Sequence, residues 1–414
     1  MGQFRAWYST ESFADYIIDN TALSQYPVVK SQMYESDASK PKNFHKIPDH
    51  IKKILYLDAP DLIVEYNTEP IFSIEITTEA GTGHNAFQRF ARIAAAVEND
   101  VPAIYIYPEA AIISRRNKNK EKGDIIKWDN INPLIFRAMD RIMSIYRIPA
   151  LLFYYPSDYN EYPNNPIDSP NYGNKGLKMD TQKIKYAGCP EHTDVNMIRL
   201  FDVLNRIIEE TISKGVIPSR QSLLSKIEVM NHKDWMLKEF NKKDNGEESS
   251  PITATIKIKT EYLLKYLSKF SEYKSELLAS REETIIYQVA AKFRGDPYPG
   301  ALAALDYLTT REGKTFEERK YNLVLCWGKV KLDDENLIFE NAEASVNDFV
   351  TDVQSCMKKS LLSKNYNELS DFEIPRYYMQ VRYGSTYSKA KHIRVYSYFA
   401  DAILFKDGAL WRDA

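Results

Sequence analysis

The chain has little of three things: cysteine, net charge and long apolar segments. Its three cysteines, Cys189, Cys326 and Cys356, are scattered and odd in number, which argues against a disulfide framework and favours the reducing cytoplasm. No apolar run approaches the length of a membrane span, and the N-terminal residues lack the apolar core of a signal peptide. The formal net charge of −2 excludes a globally basic protein, so a nucleic-acid partner would have to be bound by local patches.

The composition is that of a globular protein with more than one domain. Of the 414 residues, 44% are apolar and 27% are charged, and the chain is too long for one ordinary core. Changes in composition divide it into four segments. We predict an α/β domain over 1–158, a linker or long loop over 159–190, a helical domain over 191–292 and an α+β region over 293–414.

The N-terminal domain shows strands and helices in a definite order. Two strand-like runs, 60–66 and 71–77, are separated by a short turn, which predicts a hairpin. An amphipathic helix is predicted over 86–98, with Asn85 as its N-cap. The continuous apolar run 103–107 is typical of a buried central strand.

The stretch SIEITTEAGTGHNAFQRF, residues 73–90, suits two kinds of site. Gly81 and Gly83 match a G-x-G-x-x-A loop between a strand and a helix, which is the context of a nucleotide-binding fingerprint. However, Glu79 would place negative charge near a pyrophosphate, and the preceding strand belongs to a hairpin instead of a parallel βαβ unit. A nucleotide-binding enzyme is therefore the less favoured alternative, beside glycines that serve only a turn.

The second kind of site is a metal site. Asp61 starts the first hairpin strand, and Glu75 lies near the end of the second, 14 residues later. Because strand starts and strand ends lie side by side in a hairpin, the two carboxylates are expected to approach each other. With a backbone carbonyl they make a hard oxygen site suited to Mg²⁺. Side chains alternate along a strand, so Thr77 shares the face of Glu75.

This pattern resembles the PD-(D/E)XK nuclease superfamily, and within it the restriction-endonuclease branch. The resemblance covers about residues 10–110 and rests on a Pro-Asp pair ending at Asp61, then Glu75-Ile76-Thr77, then a helix and a strand. It implies a restriction-endonuclease-like α/β core, a mixed sheet flanked by helices, followed by the helical middle and the α+β region. It also implies that Asp61, Glu75 and the carbonyl of Ile76 hold Mg²⁺.

Thr77 departs from the family pattern, because it stands where the family usually places a catalytic lysine. Threonine cannot supply a positive charge near the attacking water. A substitute cation would come from Arg89, from Arg92 or from a lysine elsewhere in the chain, such as Lys52 or Lys53. Glu65 and Glu79 are candidates to hold a second ion, and surface carboxylates otherwise.

The resemblance implies a cytoplasmic, Mg²⁺-dependent, site-specific deoxyribonuclease that cleaves double-stranded DNA, as type II restriction enzymes do. Such enzymes commonly act as homodimers, and no membrane partner is expected. Asp61, Glu75 and Thr77 would form the catalytic set. The departure at Thr77 leaves a second interpretation open, a DNA-binding protein whose nuclease core has decayed.

Three groups of residues are candidates for DNA contact. The first lies on the helix after the site: Gln88, Arg89 and Arg92. The second lies in a basic stretch that we predict as a loop: Arg115, Arg116 and Lys118. The third lies in an acid-free segment in which basic residues alternate with tyrosines: Arg376, Arg382, Lys389, Lys391 and Arg394. Basic side chains bind phosphate and aromatic rings stack on bases, although a solvated helix face and an ordinary basic sheet face have the same composition.

Overall fold

A computed structural model describes residues 2–33, 47–55, 59–78, 84–117, 119–180, 184–243, 255–270, 275–288, 318–326, 328–342, 345 and 401–411. These residues form two compact units, one made of the described residues up to 243 and the other of those from 255 onward. Within these ranges every helix is too short or too polar to span a membrane.

The first unit contains eight strands and seven α-helices among its described residues. In chain order they are β1 (Phe4–Tyr8), α1 (Glu11–Asp19), β2 (Val28–Gln32), α2 (Asp49–Leu55), β3 (Leu62–Tyr66), β4 (Glu69–Ile76), α3 (His84–Glu98), β5 (Ala103–Pro108), β6 (Ala110–Arg115), β7 (Ile125–Asn130), α4 (Leu134–Tyr146), β8 (Ala150–Tyr155), α5 (Val195–Lys214), α6 (Val216–Ser222) and α7 (Ile227–Lys243).

Six of these strands form one mixed sheet in the order β2-β1-β3-β4-β5-β8. β4, β5 and β8 run parallel to one another, and β3 is antiparallel to both of its neighbours. Every residue of β5 and β8 is buried, as the apolar run 103–107 predicted, because helices cover the sheet. The mixed α/β character expected of the N-terminal region is therefore confirmed.

The hairpin of β3 and β4 is confirmed, and its turn explains how it forms. Asn67 and Thr68 both have positive φ, 51° and 66°, as a two-residue hairpin turn of type I′ requires. Leu62 pairs with Ile74, so the start of β3 lies beside the end of β4. This pairing brings the two ends of the Asp61–Glu75 segment together.

Helix α3 packs against β4 and β5 and begins earlier than the sequence predicted. It starts at His84, so Asn85 lies inside the first turn and is not the N-cap. Phe90 and Ile93 are buried, in agreement with the predicted apolar face.

Helix α7 covers the free edge of β8. The ring Nε2 of His232 lies 2.7 Å from the carbonyl oxygen of Leu152, and the amide of Leu152 donates to the sulfur of Met236 at 3.4 Å. The ring of His232 also stacks on Phe153, with ring centroids 3.7 Å apart. The helix therefore satisfies edge groups that would otherwise be open to another strand.

The predicted division into a linker and a helical domain differs from the observed one. The described part of 159–190 is packed onto the first unit: the buried carboxylate of Asp158 accepts hydrogen bonds from the Ser169 hydroxyl and from Asn171. Helices α5 and α7 pack on β8 and belong to the same unit. These segments were correctly predicted as helices. A helical periodicity does not, however, indicate which sheet the apolar face of the helix will cover.

The second unit is an α/β unit in its own right. Its elements are β9 (Thr255–Lys259), α8 (Thr260–Leu267), α9 (Glu276–Ala279), β10 (Glu283–Gln288), β11 (Asn322–Cys326), β12 (Gly328–Asp333), β13 (Asn336–Ala342), β14 (Ala402–Phe405) and β15 (Gly408–Trp411). Five of them form a sheet in the order β15-β14-β11-β10-β9, in which β10, β11 and β14 are parallel. The predicted boundary at 292/293 therefore falls between two paired strands of one sheet, and β14 and β15 form an antiparallel hairpin at its edge.

Candidate functional site

The β3–β4 hairpin places both predicted acids at the carboxyl end of β4. Glu75 is the penultimate residue of that strand and is completely buried, and Asp61 directly precedes β3. The amide of Asp61 donates to the carbonyl oxygen of Ile74 at 3.0 Å. In return, Oδ2 of Asp61 accepts from the amide of Ile76 at 2.9 Å. The hairpin thus holds the Asp61 carboxylate against the backbone that carries Glu75.

Ser9 fixes the other oxygen of Asp61. Its hydroxyl donates to Oδ1 of Asp61 at 3.0 Å, and its amide donates to the Asp61 carbonyl at 2.9 Å. Ser9 directly follows β1, which is antiparallel to β3. The sequence did not indicate this residue, because strand pairing and not chain proximity brings it to the site.

Two arginines of α3 face the Glu75 carboxylate. The Nη1 atoms of Arg89 and Arg92 both donate to Oε1 of Glu75, and Nη1 of Arg89 also donates to the carbonyl oxygen of Ile76 at 2.9 Å. Residues three apart share one helix face, and here that face lies on the sheet. Neither arginine therefore belongs to a solvated helix face, which was the alternative interpretation of these residues.

Burial dominates the electrostatics of Glu75. Loss of hydration raises the pKa of its carboxyl group, the nearby Asp61 acts in the same direction, and the two guanidinium groups oppose this shift only in part. For Arg89, burial acts most strongly and lowers the pKa, but the surrounding acidic groups, Glu75 first among them, together outweigh it and the pKa is raised. On the neighbouring strand, burial raises the pKa of Tyr105 well above its ordinary value, so its phenol remains neutral.

The oxygen atoms of Asp61, Glu75 and Ile76 are the ligands that a divalent ion would use at this site. Oε2 of Glu75 is buried and has no hydrogen-bond partner among the described residues, which is costly for a carboxylate oxygen. Among the described residues, each oxygen of Asp61 accepts one hydrogen bond, which leaves it a lone pair for a further ligand. In the part of the chain that is described, no group of three histidine, cysteine, aspartate or glutamate side chains converges. Two carboxylates and a carbonyl nevertheless suit Mg²⁺, which usually keeps several waters and takes one or two protein carboxylates.

The remaining candidates near the site have different surroundings. Thr77 is buried, and its amide donates to the carbonyl of Ile106 at 3.0 Å. Glu65 cannot serve a second ion as proposed, because it pairs with Arg5 at 3.2 Å and with His50 at 2.7 Å. Its place near the turn end of β3 also separates it from Asp61 by about 13 Å, the length of four extended residues.

The two candidate lysines have other surroundings. Lys52 pairs with Asp49 at 3.2 Å, and Lys53, on the same short helix, is exposed. The arginines of α3 are therefore the positive charges observed at Glu75.

The basic stretch predicted as a loop is a hairpin of β6 and β7. Arg115 ends β6, and Arg116 is exposed beyond it. Several predicted residues lie outside the described residues or have side chains that are not described: Gln88, Lys118, Arg376, Arg382, Lys389, Lys391, Arg394, Glu79, Gly81, Gly83 and the Arg115 side chain. Their proposed contacts with DNA or nucleotide remain predictions.

Searches of protein-family models, of curated proteins and of solved structures found no match to this chain, so the site has to be interpreted from its own geometry.

Proposed function

We propose that the protein is a Mg²⁺-dependent endonuclease that hydrolyses phosphodiester bonds in double-stranded DNA. The observation that carries this proposal is the position of Asp61 and Glu75 at the carboxyl end of β4: Asp61 accepts from the Ile76 amide, and one buried Glu75 oxygen has no hydrogen-bond partner among the described residues. Ligands of α/β proteins bind at the carboxyl ends of parallel strands, so this position is suited to chemistry.

The protein's own groups would divide the work at the site. Asp61, Glu75 and the Ile76 carbonyl would hold the ion, and the hydrogen bonds from Ser9 and from the Ile76 amide fix the orientation of Asp61. Held by these residues, Mg²⁺ would supply Lewis-acid chemistry, that is, polarisation of the scissile phosphate, a lower pKa for the attacking water and compensation of charge on the leaving oxygen. Arg89 would supply the positive charge that Thr77 lacks, because a guanidinium pairs well with a phosphate.

The finer assignment follows the family resemblance. A strand hairpin bearing two acids, then a helix and a parallel strand, supports a restriction-endonuclease-like core within the mixed sheet. The proposed activity is therefore that of a type II site-specific deoxyribonuclease, acting as a homodimer. These steps rest on analogy with the family.

One cleavage assay tests the proposal. Purified protein is incubated with unmethylated phage DNA in the presence of Mg²⁺ or of EDTA. We expect discrete fragments with Mg²⁺ and intact DNA with EDTA. The isosteric changes Asp61→Asn and Glu75→Gln should each lower the rate by about a thousandfold or more, because several kcal/mol of transition-state stabilisation are lost.

Glu69→Gln is the matched control for these variants. Glu69 lies on β4 as well, at the opposite end of the strand, and its side chain is 54% exposed. This variant should cleave like the wild type. A smear would indicate a nonspecific nuclease, and intact DNA under all conditions would contradict hydrolysis.

A second candidate function is DNA binding by a catalytically silent core. The position of Arg89 favours it, because the guanidinium lies across Glu75 and the Ile76 carbonyl, and Thr77 supplies no ammonium group. Such a protein would shift the mobility of duplex DNA in a gel and leave it intact with Mg²⁺. Its DNA affinity would be unchanged in Glu75→Gln.

A further inference from the structure

Arg89 uses the acceptors that the proposed metal site needs. Its Nη1 atom contacts Oε1 of Glu75 and donates to the carbonyl oxygen of Ile76 at 2.9 Å. Those two residues supply two of the three protein ligands proposed for the ion. The guanidinium is thus the resident cation of the site, and a divalent ion would have to compete with it.

The two arginines differ in how deeply they are held. The side chain of Arg92 is 3% exposed, whereas that of Arg89 is 20% exposed. Both reach the same oxygen of Glu75, and only Arg89 also reaches Ile76 among the contacts of these two side chains that are described. If Arg89 moves away, Glu75 keeps Arg92 as a buried counter-charge, so the carboxylate is never left uncompensated.

A DNA phosphate offers Arg89 a second acceptor. A guanidinium forms strong, often bidentate hydrogen bonds with phosphate, and Arg89 is the arginine with a route to solvent. Its departure would release the Ile76 carbonyl and one side of the Glu75 carboxylate at the moment when the substrate phosphate arrives.

We propose that Arg89 is a positioning residue that closes the metal site of the free protein and moves onto a DNA phosphate when duplex binds, so that DNA binding and divalent-ion binding are coupled. This inference rests on the proposed metal-dependent nuclease function. Coupling of two binding equilibria is reciprocal, so the ion also strengthens DNA binding by the same factor.

The first part of the proposal, that Arg89 closes the metal site of the free protein, is tested by titrating Mn²⁺ into the full chain. The free ion is quantified by its electron paramagnetic resonance signal. In the absence of DNA, Arg89→Met should bind Mn²⁺ about tenfold tighter than the wild type or more. Arg137→Met is the matched control, since Arg137 is an exposed arginine of α4 in the same unit, placed over the Phe240 ring. It should bind Mn²⁺ like the wild type. Equal affinities of Arg89→Met and wild type would overturn the proposal.

The second half is tested by adding a random-sequence DNA duplex. Glu75→Gln, measured with the same duplex, gives the Mn²⁺ held by the DNA itself, and this amount is subtracted. The remaining affinity of the wild type should rise about 5- to 150-fold with DNA, whereas Arg89→Met, whose site is already open, should change little. If the Glu75-dependent Mn²⁺ affinity of the wild type is the same with and without DNA, the proposal is overturned. This comparison uses the wild type and Glu75→Gln, so it remains valid even if Arg89→Met does not fold.

These measurements separate the inference from the nuclease proposal. Mn²⁺ binding that opens in Arg89→Met supports the inference even when the cleavage assay is negative in every variant. Cleavage by the wild type together with unchanged Mn²⁺ binding in Arg89→Met contradicts the inference alone. Absence of both cleavage and Glu75-dependent Mn²⁺ binding contradicts both.

Discussion

The two sheets of this protein each bury an acid beside arginines, but at opposite ends of their parallel strands. In the first unit, Glu75 lies at the carboxyl end of β4. In the second unit, Asp401 directly precedes β14 and so lies at the amino end. Carboxyl ends of parallel strands are where α/β proteins bind ligands, whereas buried groups at amino ends usually serve stability.

The two acids also differ in their hydrogen-bond partners. Oδ2 of Asp401 lies 2.7 Å from Nη1 of Arg319 and accepts from the amide of Leu323 at 2.9 Å, and Oδ1 lies 3.9 Å from Nη1 of Arg281. Arg281 in turn donates to Asn322 at 2.8 Å. The carboxylate of Asp401 is therefore tied to the backbone, whereas the described contacts of the Glu75 carboxylate are with two arginines. In each acid one buried oxygen, Oδ1 of Asp401 and Oε2 of Glu75, has no hydrogen-bond partner among the described residues, so it is the position in the sheet that distinguishes the two acids. The comparison teaches that a buried acid with arginines is a structural element in one sheet and a candidate active site in the other.

The largest expected effect on stability comes from removing the carboxylate of Asp401 from its contacts with Arg281 and Arg319. Asp401→Ala leaves buried Arg319 without its carboxylate, so the second unit should lose about 3–5 kcal/mol of unfolding free energy. Calorimetry of the full chain measures this loss. Glu340→Ala is the control, because Glu340 is half exposed and pairs with Lys331 at 3.5 Å. It should change stability by at most about 0.5 kcal/mol. Equal losses in the two variants would refute a structural role for Asp401.

Low pH should destabilise the first unit through the buried His232. The described residues around Asp401 in the second unit include no such histidine. Burial lowers the pKa of this histidine to about 3 from its ordinary value of 6.5. The unfolded chain therefore binds the proton more readily, and stability present above pH 6.5 is lost as pH falls toward 3. The slope should approach about 1.4 kcal/mol per pH unit.

Denaturant titrations at pH 7 and pH 5 measure this slope. His232→Gln keeps a hydrogen-bond donor but does not titrate in this range. It should therefore be less stable than the wild type at pH 7 and show a smaller loss on acidification. Identical losses in the two proteins would exclude His232 as the titrating group.

A smaller effect is expected at Ser9. A variant at this position distinguishes the orientation of the Asp61 carboxylate from the stability of the fold. Ser9→Ala removes the hydroxyl that donates to Asp61, and should cost about 0.5–1.5 kcal/mol. It should also lower the cleavage rate, because a freed carboxylate samples other orientations. Ser12→Ala is the control, since the Ser12 hydroxyl donates to the Ala187 carbonyl at 3.1 Å, away from Asp61. A similar change in rate for both variants would contradict the orienting role.

The smallest effect is expected at Thr77. Thr77→Val keeps the shape of this buried side chain and removes its hydroxyl. If the arginines supply the charge at the site, the cleavage rate should fall by less than about tenfold, since a proton-transfer group contributes a hundredfold or more. A larger drop, measured in the phage DNA assay, would assign the hydroxyl a chemical role.

The sequence predicted the backbone of the site better than its side-chain surroundings. The strand-turn-strand pattern was enough to predict the hairpin that places Asp61 and Glu75 at one end of β4, whereas the register shift between Val64 and Glu65 was not predictable. The inward orientation of Arg89 was not predictable, since it depends on where α3 begins, and that start lay two residues earlier than the sequence indicated. The contact of Ser9 with Asp61 was also not predictable, because the two residues are 52 positions apart in the sequence and only strand pairing brings them together.

The domain organisation was the weakest prediction for a related physical reason. Helical periodicity identified the segments of α5 and α7 as helical, but their apolar faces carry no record of the sheet they cover. Low apolar content made 159–190 look like a linker, whereas polar contacts such as those at Asp158 anchor its described part. In the second unit, β10 and β11 are paired across a long chain segment, so composition placed the boundary between them.

The arginines at Glu75 bear on how such a protein can change over evolutionary time. Because the carboxylate carries its own counter-charges, folding does not depend on an ion being bound. Under the proposed nuclease function, a lineage could therefore lose metal binding by a single substitution without passing through an unfolded ancestor.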